Sequence, residues 1–421
     1  TRRKHCKARA CATRRGAGSL EQDIDPASPL PAWSKNGQYV ANALATCVCG
    51  DLPMTFRSVQ CLAAVVATLA GAAALAATAG TEPSAAHASR FVDPLDAPAE
   101  TAVSPATRPM TAVASAGQRL VGVGQRGVIV VSDDHGHNWR QVPSPVQSDL
   151  TAVSFPTPSQ GWAVGHDGVI LHTSNGGTSW SKQLDGRISN ERFVAYYRDA
   201  VARGDADAAA YQKQEENNAK AGPSLPYLDV WFDNAMQGYA VGSFGAFAMT
   251  TDGGKTWQPG LEHIDNPDFL NLNAIRGIGG EVYIAGERGT LFRLDRASGQ
   301  FKRLQSGYSG SFFGIVGSGQ RLFAFGLRGT VYQSTDQGAS WQKTDTGTDS
   351  TLNGATVLGD GRIVICGSRA MLLVADPVSG AFQRVSADTP MLFAGIAADG
   401  ADRVALGGSS GMSVEAIGPR R

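Results

Sequence analysis

A short glycine-centred unit recurs through most of the chain, and this recurrence constrains the fold more than any other feature of the sequence. The first glycines of successive units lie 41, 77, 44, 40, 41 and 41 residues apart, so there are seven units, and the longest interval contains an insertion. Periods of about 40–45 residues are typical of propeller blades. The central Gly-x-x-Gly, with alanine replacing one glycine, occurs at Gly124/Gly127, Gly165/Gly168, Gly242/Gly245, Gly286/Gly289, Gly326/Gly329, Gly367/Ala370 and Gly408/Gly411.

Each unit contains four short β-type stretches separated by Gly, Asn, Asp or Ser turns. The pattern predicts an all-β, seven-bladed propeller of four-stranded antiparallel blades over residues 90–421. Each blade should begin at the central axis and finish at the rim. The last unit, Leu392 to Ile417, supplies only three strands, so we expect the Phe91-Val-Asp-Pro-Leu segment to add the fourth and close the ring.

Residues 187–226 form the insertion, and their pattern predicts a helical hairpin between blades 2 and 3. Ser189, with Glu191 close behind, is the expected start of the first helix, which should end at Arg203-Gly204. A second helix is expected from Asp205 to Lys220, ended by Gly222-Pro223. The hairpin either packs on the propeller or serves as a lid or docking arm. Its apolar stripe is Phe193, Tyr196, Tyr197 and Val201.

A second motif, [Ser/Thr]-x-[Asp/Asn]-x-Gly-x-[Ser/Thr/Asn]-Trp, occupies the turn between the third and fourth stretches of four units. Its acidic or amide side chain can accept hydrogen bonds from its own turn, and its tryptophan can bury a large face between blades. The motif is similar to the Asp-box, or BNR, repeat. The expected structural residues are Asp134, Trp139, Asn175, Trp180, Asp252, Trp257, Asp336 and Trp341.

The full unit, with Gly-Trp/Tyr-Ala-Val-Gly before the box, resembles the photosystem II stability/assembly factor family of propellers, in a bacterial member. The likeness covers about residues 108–415. It implies an exported, non-enzymatic protein that assists the assembly or stability of a membrane complex, in photosynthesis in the parent family. The insertion and the loss of the box in units four, six and seven depart from the plain family pattern.

The residue before the second glycine is arginine in four of the seven hairpins, and equivalent hairpins of a propeller lie on one face. Arginine suits bidentate capture of carboxylate or phosphate. We therefore predict a partial cationic ring that binds an anionic element of a protein partner, with solvated hairpin tips as the alternative. The predicted partner-binding residues are Arg126, Arg288, Arg328 and Arg369.

Asp-box propellers also include sialidases, so a sialidase-like glycoside hydrolase is the enzymatic alternative, and a permanent envelope scaffold is another. Sialidases use a tyrosine nucleophile, but Glu191, Tyr196 and Tyr197 fall on the predicted inserted helix. We expect no enzyme activity, cofactor, metal or small-molecule substrate. His135 and His137 read as a solvated pair rather than a metal site, and Cys366 as a buried small hydrophobe.

The first methionine is Met54, and residues 54–89 have the form of a signal peptide, with cleavage expected after Ala79 or Ala88. An uncleaved anchor is the alternative. Residues 1–53 are expected to be disordered or to lie upstream of the true start of translation.

The 37 basic and 37 acidic residues give no sign of nucleic-acid binding. We expect a periplasmic monomer that associates with the membrane through its partner.

Overall fold

A computed structural model describes residues 91–220 and 222–418 of the protein. The predicted signal peptide (54–89) and the segment upstream of it (1–53) lie outside the described residues. The described chain forms six four-stranded antiparallel sheets and one three-stranded sheet. The predicted seven-bladed β-propeller is therefore confirmed.

Each four-stranded sheet keeps its strands in chain order, from an innermost first strand to an outermost fourth. Blade 1 comprises β1 (Met110–Ala116), β2 (Arg119–Gly124), β3 (Ile129–Ser132) and β4 (Arg140–Val142). Blade 2 comprises β5 (Leu150–Ser154), β6 (Gly161–Gly165), β7 (Ile170–Thr173) and β8 (Ser181–Leu184). Blade 3 comprises β9 (Tyr227–Phe232), β10 (Gly238–Gly242), β11 (Phe247–Thr250) and β12 (Gln258–Pro259).

The remaining blades follow the same order. Blade 4 comprises β13 (Leu272–Ile278), β14 (Glu281–Gly286), β15 (Leu291–Asp295) and β16 (Gln300–Leu304). Blade 5 comprises β17 (Phe312–Ser318), β18 (Arg321–Gly326), β19 (Val331–Ser334) and β20 (Gln342–Thr344). Blade 6 comprises β21 (Leu352–Val357), β22 (Ile363–Gly367), β23 (Met371–Ala375) and β24 (Phe382–Ser386). Blade 7 comprises β25 (Phe393–Asp399), β26 (Arg403–Gly408) and β27 (Gly411–Ala416).

Burial falls from the middle of each blade to its rim. Strands such as β22 and β23 are buried along their whole length, whereas β20 and β24 at the rim are largely exposed. Neighbouring blades pack on both faces of the middle strands. The sequences of these strands are therefore continuous runs of apolar residues rather than alternating apolar and polar residues. Cys366 lies in this core, as predicted, and burial raises the pKa of its thiol to about 12.

At four of the seven blade junctions, a side chain near the start of one inner strand bonds to the next blade. Each donates a hydrogen bond to the backbone carbonyl of the first residue in the following inner strand. Each bond gives a buried backbone carbonyl a hydrogen-bond donor. The sequence repeat did not predict these bonds. They run from Thr111 to Leu150 (2.5 Å), Thr151 to Tyr227 (2.6 Å), Asn273 to Phe312 (2.7 Å) and Asn353 to Phe393 (2.7 Å).

The ring closes without the strand that we expected from the amino-terminal segment. Blade 7 keeps three strands, and the 91–97 segment instead lies against blades 1 and 2, where the Gln147 N–H donates to the Pro94 carbonyl. Its apolar side chains explain the difference, because Leu95 is buried in the cluster of blades 1 and 2 while Phe91 is exposed. At the seam, Ser115 Oγ of blade 1 donates to the Ala398 carbonyl of blade 7 over 2.7 Å.

The predicted helical hairpin is confirmed, with corrected boundaries. Helix α1 spans Gly186–Ala202 and α2 spans Ala208–Lys220, and neither helix of the described chain is long and apolar enough to cross a membrane. The predicted start at Ser189 is wrong, because Asp185 is the N-cap and accepts bonds from the N–H groups of Arg187 and Ile188.

The buried face of α1 also differs from the predicted apolar stripe. Phe193, Tyr197 and Ala200 are buried against the propeller, whereas Val201 is exposed and Tyr196 is only partly buried. The hairpin thus packs on blade 3. A lid or docking role for it stays a prediction.

Candidate functional site

The two ends of the propeller carry different loops, which define a crossover face and a box face. The crossover face holds the hairpins between second and third strands together with the connections between blades. A Cβ on Gly127 would lie 1.9 Å from the Val146 carbonyl oxygen, and one on Gly289 would lie 1.8 Å from that of Tyr308. Both carbonyls belong to blade connections, so the hairpins pack directly on them and only glycine fits there.

The box face holds the turns between third and fourth strands, beside the hairpins of first and second strands. The Gly253 N–H donates to the Met236 carbonyl, and the Gln337 N–H donates to that of Gln320. The predicted partner-binding loops and the box turns therefore lie at opposite ends of the channel.

The four predicted arginines occupy the same position in the hairpins of blades 1, 4, 5 and 6. All four have a left-handed backbone, with φ of 54° at Arg126, 51° at Arg288, 53° at Arg328 and 58° at Arg369. All four are exposed on the crossover face. The repeated backbone geometry gives the four side chains equivalent starting points on this face.

The four guanidinium groups differ in what they contact. Arg126 lies 3.6 Å from a Glu100 carboxylate oxygen, and Arg369 lies 3.1 Å from one of Asp349. Among the described residues, no side-chain ion pair or hydrogen bond is found for Arg288 or Arg328. Exposed ion pairs of this kind contribute little, about 0–1 kcal/mol, so all four charges can be offered to a ligand.

Apolar side chains lie among the arginines on the same face. Phe244 and Leu327 occupy hairpin tips, with 57% and 40% of their surfaces exposed, and Leu392 in the connection to blade 7 is 46% exposed. Large apolar groups exposed beside fixed charges favour a partner that buries both.

The hairpins of blades 2 and 3 lack the arginine, and the helical insertion lies beside them. In blade 2 the position is Asp167, which accepts a hydrogen bond from Ser148 Oγ over 2.6 Å. In blade 3 it is Phe244, whose carbonyl accepts a bond from Gln214 of α2. The insertion thus borders the gap in the cationic ring on the crossover face.

A cluster of tyrosines and carboxylates fills the contact between the insertion and the propeller. The hydroxyls of Tyr196 and Tyr197 both donate to the Glu262 carboxylate, and the Tyr197 oxygen accepts the Leu261 N–H. Burial, and then the charge of Glu262, raise the pKa of the Tyr197 hydroxyl. A buried hydroxyl held protonated is unsuited to nucleophilic attack, and the third residue of the hydrolase alternative, Glu191, is exposed on α1.

The four box turns have a common hydrogen-bond pattern that closes each turn on itself. In the blade 5 turn, Ser334 Oγ donates to Asp336 Oδ1 and accepts the Gly338 N–H, while Asp336 Oδ1 accepts the Ser340 N–H. The bonds from Ser340 lower the pKa of Asp336 to about 2. The equivalent residues Asp134, Asn175 and Asp252 accept the same backbone bond from the residue four positions later.

The tryptophans of these turns complete the pattern, with one exception. The indole N–H donates to the turn glycine carbonyl from Trp139, Trp180 and Trp341. Trp257 donates instead to Gln183 of blade 2, which also accepts the Trp162 N–H. Each Asp or Asn side chain thus accepts hydrogen bonds within its own turn.

A seven-bladed ring with a repeated hairpin on one face and self-bonded turns on the other defines an all-β propeller protein of the repeat class. A family model described as photosynthesis system II assembly factor YCF48 matches residues 112–197 and 210–371. These residues make up more than half of the chain, and the chain belongs to this family. The resemblance inferred from the repeats is confirmed.

Individual relatives are more distant. The chain is 29% identical over 172 residues to the photosystem II assembly protein Ycf48 of Synechococcus sp. (strain JA-2-3B'a(2-13)), covering 37% of this chain and 49% of the relative. It is 24% identical over 270 residues to the photosystem II assembly lipoprotein Ycf48 of Synechococcus sp. (strain CC9902), covering 60% and 80%. The chain thus spans about half the length of the first of these relatives.

Solved structures support the fold. A structure described as YCF48 bound to D1 peptide superposes with a TM-score of 0.54 at 16% identity, covering 77% of this chain and 97% of the other. YCF48 from Cyanidioschyzon merolae superposes equally well, with a TM-score of 0.54 at 14% identity, covering 74% and 96%. At such identities the likeness concerns the fold alone.

Proposed function

We propose that this protein is an exported, non-enzymatic, protein-binding propeller that assists the biogenesis or stability of a membrane complex. Membership of the assembly-factor family supports the role in assembly. One relative is named a lipoprotein and another chloroplastic, and these names support export to a compartment outside the cytoplasm, which for this chain we take to be the periplasm. The periplasmic monomer, released by cleavage of residues 54–89, would meet the membrane through its partner.

We propose that the crossover face binds an acidic segment or a terminal carboxylate of the partner. The observation that carries this proposal is the repetition of an exposed arginine at one hairpin position in four blades. A charge-assisted bond from a guanidinium to a carboxylate is about twice as strong as a neutral hydrogen bond. A relative described as bound to a D1 peptide is consistent with a peptide partner.

The test removes three of the arginines, Arg288→Ala, Arg328→Ala and Arg369→Ala together, and measures capture of the partner from solubilised membranes. We expect at least tenfold weaker capture, because three charge-assisted contacts are lost. The matched control removes three exposed cations from the outer strands of the same blades, by Arg303→Ala, Lys343→Ala and Arg384→Ala.

The control keeps the loss of charge per blade equal and changes only its position. Full capture by the control and weak capture by the test variant would support the assignment to the crossover face. Equal capture by both variants would reject it. A stable stoichiometric complex would favour a permanent scaffold over a transient assembly factor.

We propose further that the four box turns are Asp-box repeats with a purely structural role. Their acidic side chains are used in their own turns, and the tyrosines Tyr196 and Tyr197 are committed to Glu262. Hydrolysis of a fluorogenic sialoside that is abolished by Tyr197→Phe would contradict this proposal.

A further inference from the structure

The outer edge of blade 7 differs from that of every other blade. Its outermost strand is β27, which belongs to the three-stranded sheet and spans 6 residues. The outermost strands of the other six blades span two to five residues, and each contains a lysine, an arginine or a proline. Proteins protect free sheet edges with such short strands, charges and prolines. The edge of β27 has none of these protections.

The one charged residue of β27 does not shield this edge. Glu415 is buried, and its carboxylate accepts the N–H groups of Asp388 and Thr389 in the connection from blade 6. On the other side of the strand, Val414 packs in one apolar cluster with Trp139 of blade 1. The two faces of β27 are therefore covered, whereas no strand of the described chain lies beside its outer edge.

The register of β27 determines which of its backbone groups face outward. The Ser409 N–H donates to the Leu392 carbonyl on the β25 side, so Gly408 turns its own backbone groups toward β27, where it pairs with Gly411. Bonded and non-bonded pairs alternate along an antiparallel ladder. Among the described residues, no hydrogen bond is found for the N–H and C=O groups that consequently point away from β26. These groups belong to Met412, Val414 and Ala416.

An unpaired cation lies at the crossover end of this edge. The turn Pro105–Thr107 packs there, because a Cβ on Gly411 would lie 1.9 Å from a carbonyl oxygen of the turn. Arg108 follows the turn and is exposed, and no side-chain hydrogen bond or ion pair is found for it among the described residues. It lines a cleft of about 220 Å³ together with Arg126, which lies 3.6 Å from Glu100. One guanidinium of the cleft thus has no anionic partner.

We propose that an extended segment of the protein partner pairs with β27 as the fourth strand of blade 7, with a carboxylate at its C-terminal end bound by Arg108. A strand antiparallel to β27 ends at the crossover face, as the fourth strands of the other six blades do. In this mode of recognition the backbone bonds to the free edge supply affinity. The segment should be uncharged along β27 and acidic at its end. The inference deepens the function proposed above and rests on it for the existence of a protein partner.

The charges favour such a partner over a second copy of this chain. The β27 strand of a second copy would also be uncharged along the edge. In an antiparallel pair, however, its C-terminal end would lie beside Arg108, and the sequence that follows β27 contains Arg420 and Arg421. Like charges would then meet, whereas an acidic end is attracted to Arg108.

The test is fluorescence anisotropy at low ionic strength with a labelled peptide, Gly-Thr-Val-Thr-Val-Thr, that has a free C-terminal carboxylate. We expect one saturable site, and about threefold weaker binding of the same peptide with a C-terminal amide, since an exposed ion pair contributes modestly. Arg108→Gln should bind the two forms equally.

Two substitutions test the pairing with β27. Val414→Pro removes an outward N–H, which proline cannot donate although an edge strand tolerates it, and should weaken peptide binding at least tenfold. Lys343→Pro is the matched control, because the Lys343 N–H also faces away from its sheet, at the rim of blade 5. It should leave peptide binding unchanged.

A change in the peptide tests the same pairing on the parent protein, so the test holds even where Val414→Pro does not fold. Two peptides are N-methylated at alternate residues, so that only one of them loses the N–H groups that face β27. That peptide should bind at least tenfold more weakly than the other. Equal binding of the two, no binding of the unmodified peptide, or no effect of the C-terminal amide would overturn the inference.

Sedimentation of the parent protein and Val414→Pro tests the alternative occupant. A dimer of the parent protein that Val414→Pro dissociates would assign the edge to a second copy and overturn the inference. A parent protein that sediments as a monomer supports it. The triple arginine variant described above leaves β27 and Arg108 intact, so failure of this inference and failure of the proposed crossover-face site are distinguishable.

Discussion

At the residue scale, the crossover-face hairpins of most blades depend on a glycine that lies against neighbouring backbone, although blade 6 has Ala370 at that position. Gly329 has a φ of 66°, and a Cβ there would lie 1.9 Å from the Thr348 carbonyl oxygen. Gly307 has a similar φ of 70° but no heavy atom within 4 Å of the Cβ position. Substituting each glycine in turn therefore distinguishes the cost of a left-handed backbone from the cost of a steric clash.

We expect Gly307→Ala to lower the free energy of unfolding by about 1 kcal/mol, and Gly329→Ala by about 3 kcal/mol or more. The larger loss follows because the backbone of the blade connection must move to admit the methyl group. Equilibrium denaturation in urea measures both. Equal losses would show that the carbonyl contact does not restrict this hairpin.

Part of this hairpin geometry can be predicted from the sequence, and part of it cannot. Repeated glycines predict positive φ, but the arginine before the second glycine is also left-handed, as is Ala370 in blade 6 with a φ of 53°. The ion pair of Arg276 and Asp229 in the channel left no sequence signal. They come from different blades and meet only when the ring curves, so no local spacing joins them.

At the element scale, the helical insertion carries a buried acid that links its packing to pH. Burial, and to a lesser degree Glu262, raise the pKa of Glu215 on α2 to about 7, against an ordinary value of 4.5. The folded state therefore holds the proton more tightly than the unfolded state. The resulting stabilisation is fully present below about pH 4.5 and is lost as the pH rises through about 7.

We expect the insertion to lose about 1 kcal/mol of local stability between pH 6 and pH 8. Hydrogen exchange of the amides of residues 186–220, corrected for intrinsic rates, measures this loss. Glu215→Gln keeps the size and remains neutral, so its protection should not vary with pH in this way. A parent protein and variant with the same pH dependence would contradict the role of Glu215.

The existence of the two helices was predictable, because apolar residues recur at helical spacing and a glycine follows each helix, Gly204 after the first and Gly222 after the second. The start was misplaced because Ser189 and Glu191 look like a cap, whereas Asp185 directly follows β8 and caps the helix one turn earlier. A search for acidic residues at the strand end would have found it.

At the scale of the whole molecule, bonds between inner strands hold neighbouring blades together. Asn353 Nδ2 of blade 6 donates to the Phe393 carbonyl of blade 7 over 2.7 Å. We expect Asn353→Ala to lower the free energy of unfolding by about 1–2 kcal/mol, because the carbonyl loses this donor. Thermal unfolding measures the effect.

Asn217 is the control for this prediction, since it is exposed on α2 and its side chain has no hydrogen bond among the described residues. Asn217→Ala should leave the unfolding temperature unchanged or slightly higher, because alanine favours helix. A loss in Asn217→Ala as large as that in Asn353→Ala would rule out the inter-blade bond as the cause.

The number of blades followed from the period of the repeat, but the manner of closure did not. Counting strands suggested that Phe91 and its neighbours would complete blade 7, whereas burial of Leu95 beside blades 1 and 2 holds that segment elsewhere. Strand counts carry no information on which apolar surface a flanking segment covers.

Blades 7 and 1 are the only neighbouring blades that no stretch of the described chain connects directly, which makes their junction a mechanical weak point. Ser115 bonds to the Ala398 carbonyl, and His135 Nδ1 lies 2.8 Å from Asp399 Oδ1, so side chains alone join blades 7 and 1 at these points. Under tension applied across this junction, the two blades would part before any hairpin unzipped. The first rupture would then lengthen the chain very little, unlike the long extensions that follow when a blade unravels.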